Sequence, residues 1–484
     1  MLKKLYILAM LSIPFSDFYA LLPLGELQHE LSTYVFFLLM GLMVAVHLKN
    51  KALVPVTDLS AGSLYEFLPK LMVVLLAIIA FSFVMNFPDM FHSSYRGRLP
   101  INKFVTSTLV VFYGFGVAFV SCKLGDKYSW RDLVVWPITL SVVICMAFSA
   151  IEMLAWHGGV TEGLYRMLSR LVHVAYIDDG VSGDGLPGTD FTGRSRSVCF
   201  EPPALANFAG FAWPWVYAGF QGARRKYKSL YLIALLLCTT LIIVAYSRTS
   251  YVLLLGNIGV LILLKLVYLP QRMNNPRVAK MVSLFIQIGA VLALGAIIYE
   301  SDAIVARVLT TNNDSTVSNI TRLSSMTAAF HMFFARPIWG FGFGQYGFHV
   351  LQFLPPWAYQ SWEVRVWFEG STFGDVWPPV FSIYGRFAAE LGILGLVTWV
   401  ALWVLVARYI WKLTLQYQRL TGELFTFSYP LIMSCYCALF SGIALDSLRT
   451  PMMWVSLGLA ACYVHDLRLR LIKLERNPIP AAQA

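Results

Sequence analysis

Charged residues are scarce in this sequence of 484 residues, since Asp, Glu, Lys and Arg together make up 13% of it. Soluble domains of ordinary composition carry about 25%. Hydrophobic residues reach 58%, so the composition excludes a soluble protein, and with it a soluble basic domain that could bind nucleic acid. Most of the chain is therefore predicted to lie in a membrane.

Cysteine and metal-binding patterns are scarce as well. Of the seven cysteines, only Cys199 is predicted to reach the outer side of the membrane, which excludes a disulfide framework. No residues have metal-ligand spacing, so we expect neither a metal nor a cofactor. The apolar N-terminal segment contains Pro14 and Asp17 and lacks a convincing cleavage site, which predicts an uncleaved first span.

What the sequence does contain is a series of apolar segments of about 20 residues, the length that crosses a bilayer as a helix. Basic residues fall in alternate connections, which predicts cytoplasmic N and C termini. The expected fold is an all-α polytopic membrane protein, one integral domain over 1–484 with two long outer loops at about 157–199 and 301–385. The twelve predicted spans are centred near residues 14, 39, 77, 113, 144, 210, 237, 259, 290, 398, 435 and 458.

Arginine dominates the predicted outer side, where basic residues are normally rare. Lys103 is the only lysine there. A guanidinium can hold a phosphate with two hydrogen bonds, so the pattern predicts an external site for a phosphate-bearing substrate. The outer arginines are Arg96, Arg98, Arg166, Arg170, Arg194, Arg196, Arg248, Arg307, Arg322, Arg336, Arg365, Arg386 and Arg449.

The first long loop ends in a motif that combines arginine with a carboxylate. After an amphipathic helix predicted over Gly163–Ile177, Arg194 and Arg196 lead to Glu201, which two following prolines place at the outer end of a helix. We predict that the arginines bind phosphate and that Glu201 acts as a base; the alternative is a charged collar at the membrane interface. Arg248, at an outer hairpin, is either a phosphate ligand or a lipid-headgroup anchor.

The second long loop contains a helix predicted over about 318–335, because Pro337 discourages its continuation. Arg322 and Arg336 share one face of this helix at a separation of about 21 Å. That is too far to hold one phosphate together, so each is a separate phosphate candidate. His331 is a candidate proton carrier, although a lone histidine is more often packed.

The same loop contains a glycine-rich motif, with Gly340, Gly342 and Gly344 in alternation. Residues 342–347 match GxGxxG literally, but a dinucleotide site would need a preceding strand and a following helix within a cytosolic unit. Pro337 and the outer position do not supply these. We predict a tight turn that allows a close approach of two backbone segments.

Aromatic residues and one ion pair complete the candidates. Arg386 and Glu390 are one turn apart where the next span begins, a spacing that suits a simple ion pair. Ionisable groups at membrane depth are also functional candidates, so Arg386 is a phosphate candidate and Glu390 a second candidate base. Four tryptophans suit stacking on sugar rings, with an interfacial aromatic belt as the alternative: Trp357, Trp362, Trp367 and Trp377.

The order of these motifs resembles that of the O-antigen polymerase and ligase superfamily. The resemblance implies a metal-independent C-type glycosyltransferase of the bacterial inner membrane. It would act at the periplasmic face on glycans carried by undecaprenyl diphosphate, and the two long loops would be periplasmic. The resembling pieces span roughly 190–400: Phe200-Glu201-Pro202, Ser247-Arg248, Arg322, Pro337-x-x-Gly340-x-Gly342-x-Gly344, and Glu390-x-Gly392-x-x-Gly395.

Ligases of the superfamily carry a His-Asn pair where this sequence has Phe381 and Ser382, which favours a Wzy-type repeat-unit polymerase. In the implied reaction, arginines neutralise the leaving diphosphate and Glu201 or Glu390 takes the proton of the attacking hydroxyl. An O-antigen ligase that joins glycan to lipid A core, and a flippase or transporter, stay open as alternatives. The expected partners are undecaprenyl-diphosphate-linked oligosaccharide and membrane lipid; binding of a chain-length regulator (a polysaccharide co-polymerase) stays open.

Overall fold

The computed structural model describes residues 1–49, 64–91, 94–95, 97–156, 160–173, 194–268, 314–365, 377–422 and 427–476. Within these residues the structure is helical, and its β-type pairing is limited to an isolated bridge between Tyr95 and Arg98. The predicted all-α class is therefore confirmed for this part of the chain.

The helices of eight or more residues are joined by connections that range, where they are described, from two residues (223–224) to 18 residues (13–30). In chain order they are α1 (Leu2–Ser12), α2 (Leu31–Lys49), α3 (Leu64–Met85), α4 (Pro100–Lys127), α5 (Trp136–Ala155), α6 (Val160–Val172), α7 (Pro202–Gly222), α8 (Arg225–Val244), α9 (Arg248–Tyr268), α10 (Asp314–Ala335), α11 (Tyr346–Phe353), α12 (Ile383–Thr421), α13 (Ser428–Ser441) and α14 (Pro451–Arg476).

Several helices have the length and composition of membrane spans. Four described segments are both long and apolar enough: Pro100–Lys127, Arg131–Ala155, Arg225–Val244 and Ile383–Thr421. Shorter apolar helices are Leu31–Val46, Pro69–Met85, Tyr251–Lys265 and Ser428–Ser441. These helices support a membrane protein. The total of twelve spans stays a prediction, and the span predicted near residue 290 lies outside the described residues.

The first predicted span differs from the structure. Helix α1 ends at Ser12, so the chain near residue 14 is not helical. Pro14 explains the end of the helix, because proline has no N–H to donate to the preceding turn.

Both long loops contain the predicted helices with shifted boundaries. Helix α6 covers Val160–Val172, and residues 174–193 lie outside the described part. Helix α10 begins at Asp314, about one turn before the predicted start, and ends at Ala335 as Pro337 predicts. A small apolar core formed around Met332 and Phe341 of the second loop also includes Ala389 of α12, so this loop packs against that helix.

The main core joins the helices that carry the candidate site. Helix α14 packs along α4, and α12 packs against α3, α10, α13 and α14. Trp399 and Trp403 of α12 and Trp454 of α14 are among the largest fully buried side chains. This packing brings the N-terminal ends of α4, α12 and α14 together on the side that the charge pattern predicts to be outside.

Candidate active site

A cavity of about 470 Å³ lies where the predicted outer ends of α4 and α12 meet the segment before α14 and the short 3-10 turn Gly25–Leu27. Cations and carboxylates line it together with Tyr346 and Trp377. These residues come from distant parts of the chain, so only folding brings them together. The charged lining residues are Glu26, Arg98, Lys103, Arg386, Glu390, Asp446 and Arg449.

Glu26 is the centre of an ion-pair network in this cavity. Its Oε1 lies 2.9 Å from Lys103 Nζ and 3.4 Å from Arg386 Nη2, and its carbonyl oxygen accepts a hydrogen bond from Arg449 Nη1 at 3.3 Å. Burial by itself would raise the pKa of Glu26, but the charges of these three cations hold that pKa well below the usual carboxyl range. Glu26 therefore stays ionised and fixes the cations around it.

Arg386 and Glu390 form the ion pair that their spacing suggested. Arg386 Nε lies 3.2 Å from Glu390 Oε2, and both side chains are buried. The Arg386 guanidinium also donates to the Asp446 carbonyl oxygen at 3.0 Å and to Ser107 Oγ at 3.4 Å. Together with the contact to Glu26, these hydrogen bonds use most of the N–H groups of the Arg386 guanidinium. Arg386 thus links α4, α12 and the segment before α14.

A break in α12 positions Glu390. Gly392 has non-helical torsions (φ 66°, ψ −159°) inside this helix. In an unbroken helix the Ile393 N–H would donate to the Ala389 carbonyl; here it donates to the Pro337 carbonyl at 2.8 Å. The Ala389 carbonyl accepts instead from the Phe341 N–H at 2.9 Å. The glycine-rich turn therefore supplies the hydrogen bonds that the broken helix lacks.

The glycines of that turn are required by both conformation and space. Gly340, Gly342 and Gly344 have φ values of 64°, 104° and 78°, a region that residues with a Cβ rarely adopt. A Cβ on Gly340 would lie 2.4 Å from the Glu390 carbonyl carbon. The predicted tight turn with close backbone approach is thus confirmed, and no strand precedes it within the described residues.

Glu201 lies within the range of the charges of three arginines, one of which, Arg449, lines the cavity. It is the N-cap residue of α7, and its carboxylate makes no capping hydrogen bond. Burial raises the pKa of Glu201, while the charges of Arg449, Arg322 and Arg194 oppose the rise. Asp446, which lines the cavity with Arg449, adds a small rise. The charges of Arg194 and Arg322 therefore both act on Glu201, while the roles of the arginines as phosphate ligands and of Glu201 as a base stay predictions.

Arg322 and the two residues at the ligase positions are neighbours. The exposed Arg322 side chain places its guanidinium carbon 5.5 Å from the centroid of the Phe381 ring. Phe381 has a positive φ of 58°. Ser382 is the N-cap of α12, where its Oγ accepts from the Gly385 N–H. These two positions therefore hold an apolar ring and a helix cap.

Trp377 is the one predicted sugar-binding tryptophan that is seen to line the cavity. Lys103 Nζ lies 4.9 Å from the centroid of its ring and the Arg98 guanidinium carbon 5.7 Å. Trp357 and Trp362 stand apart from this cavity with 36% and 49% of their surface exposed. Trp367 lies outside the described residues, as does the side chain of Arg248, the first residue of α9.

Arg196 is buried away from the cavity in a separate polar cluster. Its Nη1 lies 3.9 Å from Asp17 Oδ2, which also pairs with His173 Nδ1 at 3.0 Å. Nearby, Glu152 of α5 accepts hydrogen bonds from Ser195 Oγ at 2.5 Å and from the Ser197 N–H at 3.0 Å. This cluster anchors the 194–201 segment to α5, so Arg196 holds the segment that carries Glu201.

Arg336 and His331 also make structural contacts outside the cavity lining. Arg336 Nη1 donates to Asp89 Oδ2 at 3.0 Å and to Asn86, and its guanidinium carbon lies 4.4 Å from the centroid of the Phe341 ring. His331 is exposed, and its Nδ1 lies 3.1 Å from the Phe353 carbonyl oxygen. Arg336 therefore fixes the end of α10, and His331 joins α10 to α11.

Sequence reasoning missed Glu26 and Lys103 as members of the site, and it placed Arg98 and Arg449 only among the outer arginines. One signal was present: Lys103 is the single lysine on the predicted outer side. Glu26 lies between apolar segments without a motif around it, so its role depends on the fold. In the described part of the chain, no three His, Cys, Asp or Glu side chains are placed to hold a metal ion.

One comparison with known proteins matches part of the chain that forms this site. Residues 233–400 match a family model described as O-antigen ligase. The matched stretch includes Arg322, the glycine-rich turn, Arg386 and Glu390. The match confirms the resemblance to the O-antigen polymerase and ligase superfamily, whose members are glycosyltransferase-like enzymes acting on lipid-linked glycans. A search of curated proteins finds no match.

Proposed function

We propose that this protein is a polysaccharide repeat-unit polymerase of the bacterial inner membrane. It transfers a glycan from undecaprenyl diphosphate onto a lipid-linked repeat unit at the periplasmic face. The observation that carries the proposal is the charged cavity that Arg449 and Trp377 line, together with the Glu201 carboxylate, on which the Arg449 charge acts. The family match supports a lipid-linked glycan as the substrate.

The reaction assigns a role to each of these groups. An acceptor hydroxyl oxygen forms a bond to the anomeric carbon of the donor glycan, and the bond from that carbon to the diphosphate oxygen breaks. The hydroxyl proton passes to Glu201, and the electron pair leaves with undecaprenyl diphosphate. Arg194, Arg322 and Arg449 stabilise the charge that develops on the diphosphate, a task that fixed guanidinium groups perform without a metal.

Glu201 suits the role of base better than Glu390. Glu390 is held by Arg386 Nε on one oxygen and by the Tyr346 N–H at 3.3 Å on the other. The Glu201 carboxylate makes no hydrogen bond at its cap position, so its oxygens are available to accept the proton of a hydroxyl group. We assign Glu390 and Arg386 to the positioning of the cavity wall.

An O-antigen ligase is the second candidate, because the matched family carries that description. The ligase would transfer the same lipid-linked glycan to lipid A core. Against it stand Phe381 and Ser382, since the superfamily's ligases have a His-Asn pair there and these residues serve as an apolar platform and a helix cap. A flippase or transporter receives less support, because the charged groups lie at one end of the helices and not at their middle.

The surface glycan of a deletion strain, separated on a gel, tests the proposal. We expect core carrying a single repeat unit, with the ladder of longer chains lost and then restored by the wild-type gene. Bare core with polymer retained on the lipid carrier would indicate the ligase. Repeat units trapped on the cytoplasmic side would indicate the flippase. If the surface ladder and the secreted polysaccharide are both unchanged, the glycan-polymerase proposal is wrong.

A further inference from the structure

A second cavity, of about 240 Å³, lies at the other ends of α12 and α14. These ends are predicted to face the cytoplasm. The cavity is a cleft between the two helices, and it combines two cations with an apolar wall. Lys412 and Arg468 supply the positive charge, and the buried Leu413 and Leu471 supply the wall. None of these residues belongs to the candidate active site.

The two cations differ in their contacts with neighbouring side chains. Arg468 hydrogen-bonds to the Tyr409 hydroxyl, and its guanidinium carbon lies 5.3 Å from the centroid of the Tyr409 ring, which orients the guanidinium in the cleft. Lys412 is exposed and forms no ion pair with any residue that the structure describes. Glu475 also lines the cleft, so the three charged side chains sum to a single positive charge. The site favours an anion.

We propose that this cleft binds the phosphate headgroup of an anionic glycerophospholipid such as phosphatidylglycerol. Basic pockets between membrane helices on the cytoplasmic side suit such headgroups. The leucine wall offers contact to an acyl chain, which a free phosphate ion lacks. The Arg468 guanidinium and the Lys412 ammonium would hold the phosphate from α14 and α12 respectively, so the lipid would bridge the two helices.

Lipid binding to the purified full-length protein tests the proposal. Native mass spectrometry and thermal melting would be measured in detergent micelles with added phosphatidylglycerol, phosphatidylcholine or inorganic phosphate. We expect selective retention of phosphatidylglycerol and a higher melting temperature with it. The variant K412A/R468A should bind about fivefold more weakly for each cation removed. The matched variant R470A/K473A removes the same charges from the same region outside the cleft and should bind normally.

The outcomes separate the sources of the effect. Equal losses in the two double variants, or equal retention of the two lipids, would mean that the cleft is not a specific site. Equal stabilisation by inorganic phosphate would mean that the ligand is a free anion, which contradicts the lipid proposal. E475Q should bind phosphatidylglycerol more tightly, because it removes the negative charge from the cleft. If K412A/R468A does not fold, the single variant K412A tests the proposal, because Lys412 is exposed and its loss should not disturb packing.

Discussion

Arg386 and Arg322 show how surroundings determine what a guanidinium can do. Arg386 is buried and uses its donors on Glu390, Glu26 and neighbouring oxygens, so it has little capacity left for a ligand. Arg322 is exposed, and within the described structure no residue accepts a hydrogen bond from its guanidinium. Arg322 is therefore the better candidate for a phosphate ligand, although both residues are arginines on the predicted outer side.

Replacing Arg322 by alanine should abolish polymerisation while the protein level stays normal. The change removes a positive charge that acts on Glu201, and it costs little packing because Arg322 is exposed. Loss of one group that stabilises developing charge lowers a rate by about a hundredfold or more. Complementation of the deletion strain, with the protein level followed by immunoblot, measures this. R170A, on the exposed face of α6, is the matched control. Wild-type activity of R322A would remove Arg322 from the site.

Replacing Glu201 by glutamine should lower the rate by a factor of about 10² to 10⁴, the usual contribution of a general base. The pH dependence gives a sharper test. A base must be unprotonated, and burial raises the pKa of Glu201, so the wild-type rate should fall on acidification at a pH above the ordinary carboxyl pKa of about 4.3. This acid limb should be absent in E201Q. A limb that persists unchanged in E201Q would assign the base to another residue.

At the scale of elements, the site depends on the break in α12 and on the glycine-rich turn, which forms hydrogen bonds with the backbone groups that the break leaves unpaired. Gly392 breaks α12 six residues after Arg386 and two residues after Glu390, and N–H groups of the glycine-rich turn bind the carbonyl groups left open. Ser82 of α3 adds a hydrogen bond to the Trp339 carbonyl at 2.6 Å. The ionised wall of the cavity is thus held by backbone contacts between three elements.

Replacing Gly340 by alanine should destabilise the protein and disable the site together. The left-handed backbone at Gly340 costs an L-residue about 1–2 kcal/mol, and the added Cβ would also meet the Glu390 backbone. Thermal melting of the purified protein measures the loss. G259A is the matched control, since a Cβ there meets nothing within 4 Å and alanine favours a helix. Equal melting temperatures for G340A and G259A would contradict the proposed role of the turn.

At the scale of the whole molecule, the two ends of the helices carry different chemistry. The predicted outer ends combine cations with the carboxylates of Glu26, Glu201 and Glu390 around a cavity, which suits reaction at a phosphate-bearing substrate. The predicted inner ends carry basic residues such as Lys412 and Arg468 with fewer carboxylates, which suits topology and lipid contact. Apolar helices such as α4 and α12 connect the two ends.

This division predicts a definite orientation in the membrane. Alkaline phosphatase fused after Asp446, between α13 and α14, should be active because this connection is predicted to be periplasmic. A fusion after Gly422, between α12 and α13, should be inactive because that connection is predicted to be cytoplasmic. The measurement is enzyme activity normalised to fusion protein level. The reverse pattern would place the candidate site on the cytoplasmic side and contradict the polymerase proposal.

Composition and local motifs were enough to predict the membrane class, the approximate place of most described helices and the glycine-rich turn. These properties follow from composition, from segment length, and from glycine or proline acting on their own backbone, all of which are local. The arginine-rich outer side predicted Arg194 and Arg322 as site residues, and the prolines after Glu201 predicted its place at the outer end of a helix.

Only the tertiary structure decided which charged groups share one cavity. Glu26 and Lys103 are 77 positions apart and become partners through the packing of the 25–27 turn on α4. The same packing buries Arg386 among carboxylates, and a separate cluster buries Arg196 beside Asp17. Burial and pairing over long sequence distances set the role of an ionisable group, and these depend on how the helices pack and not on the residues that adjoin the group in the chain.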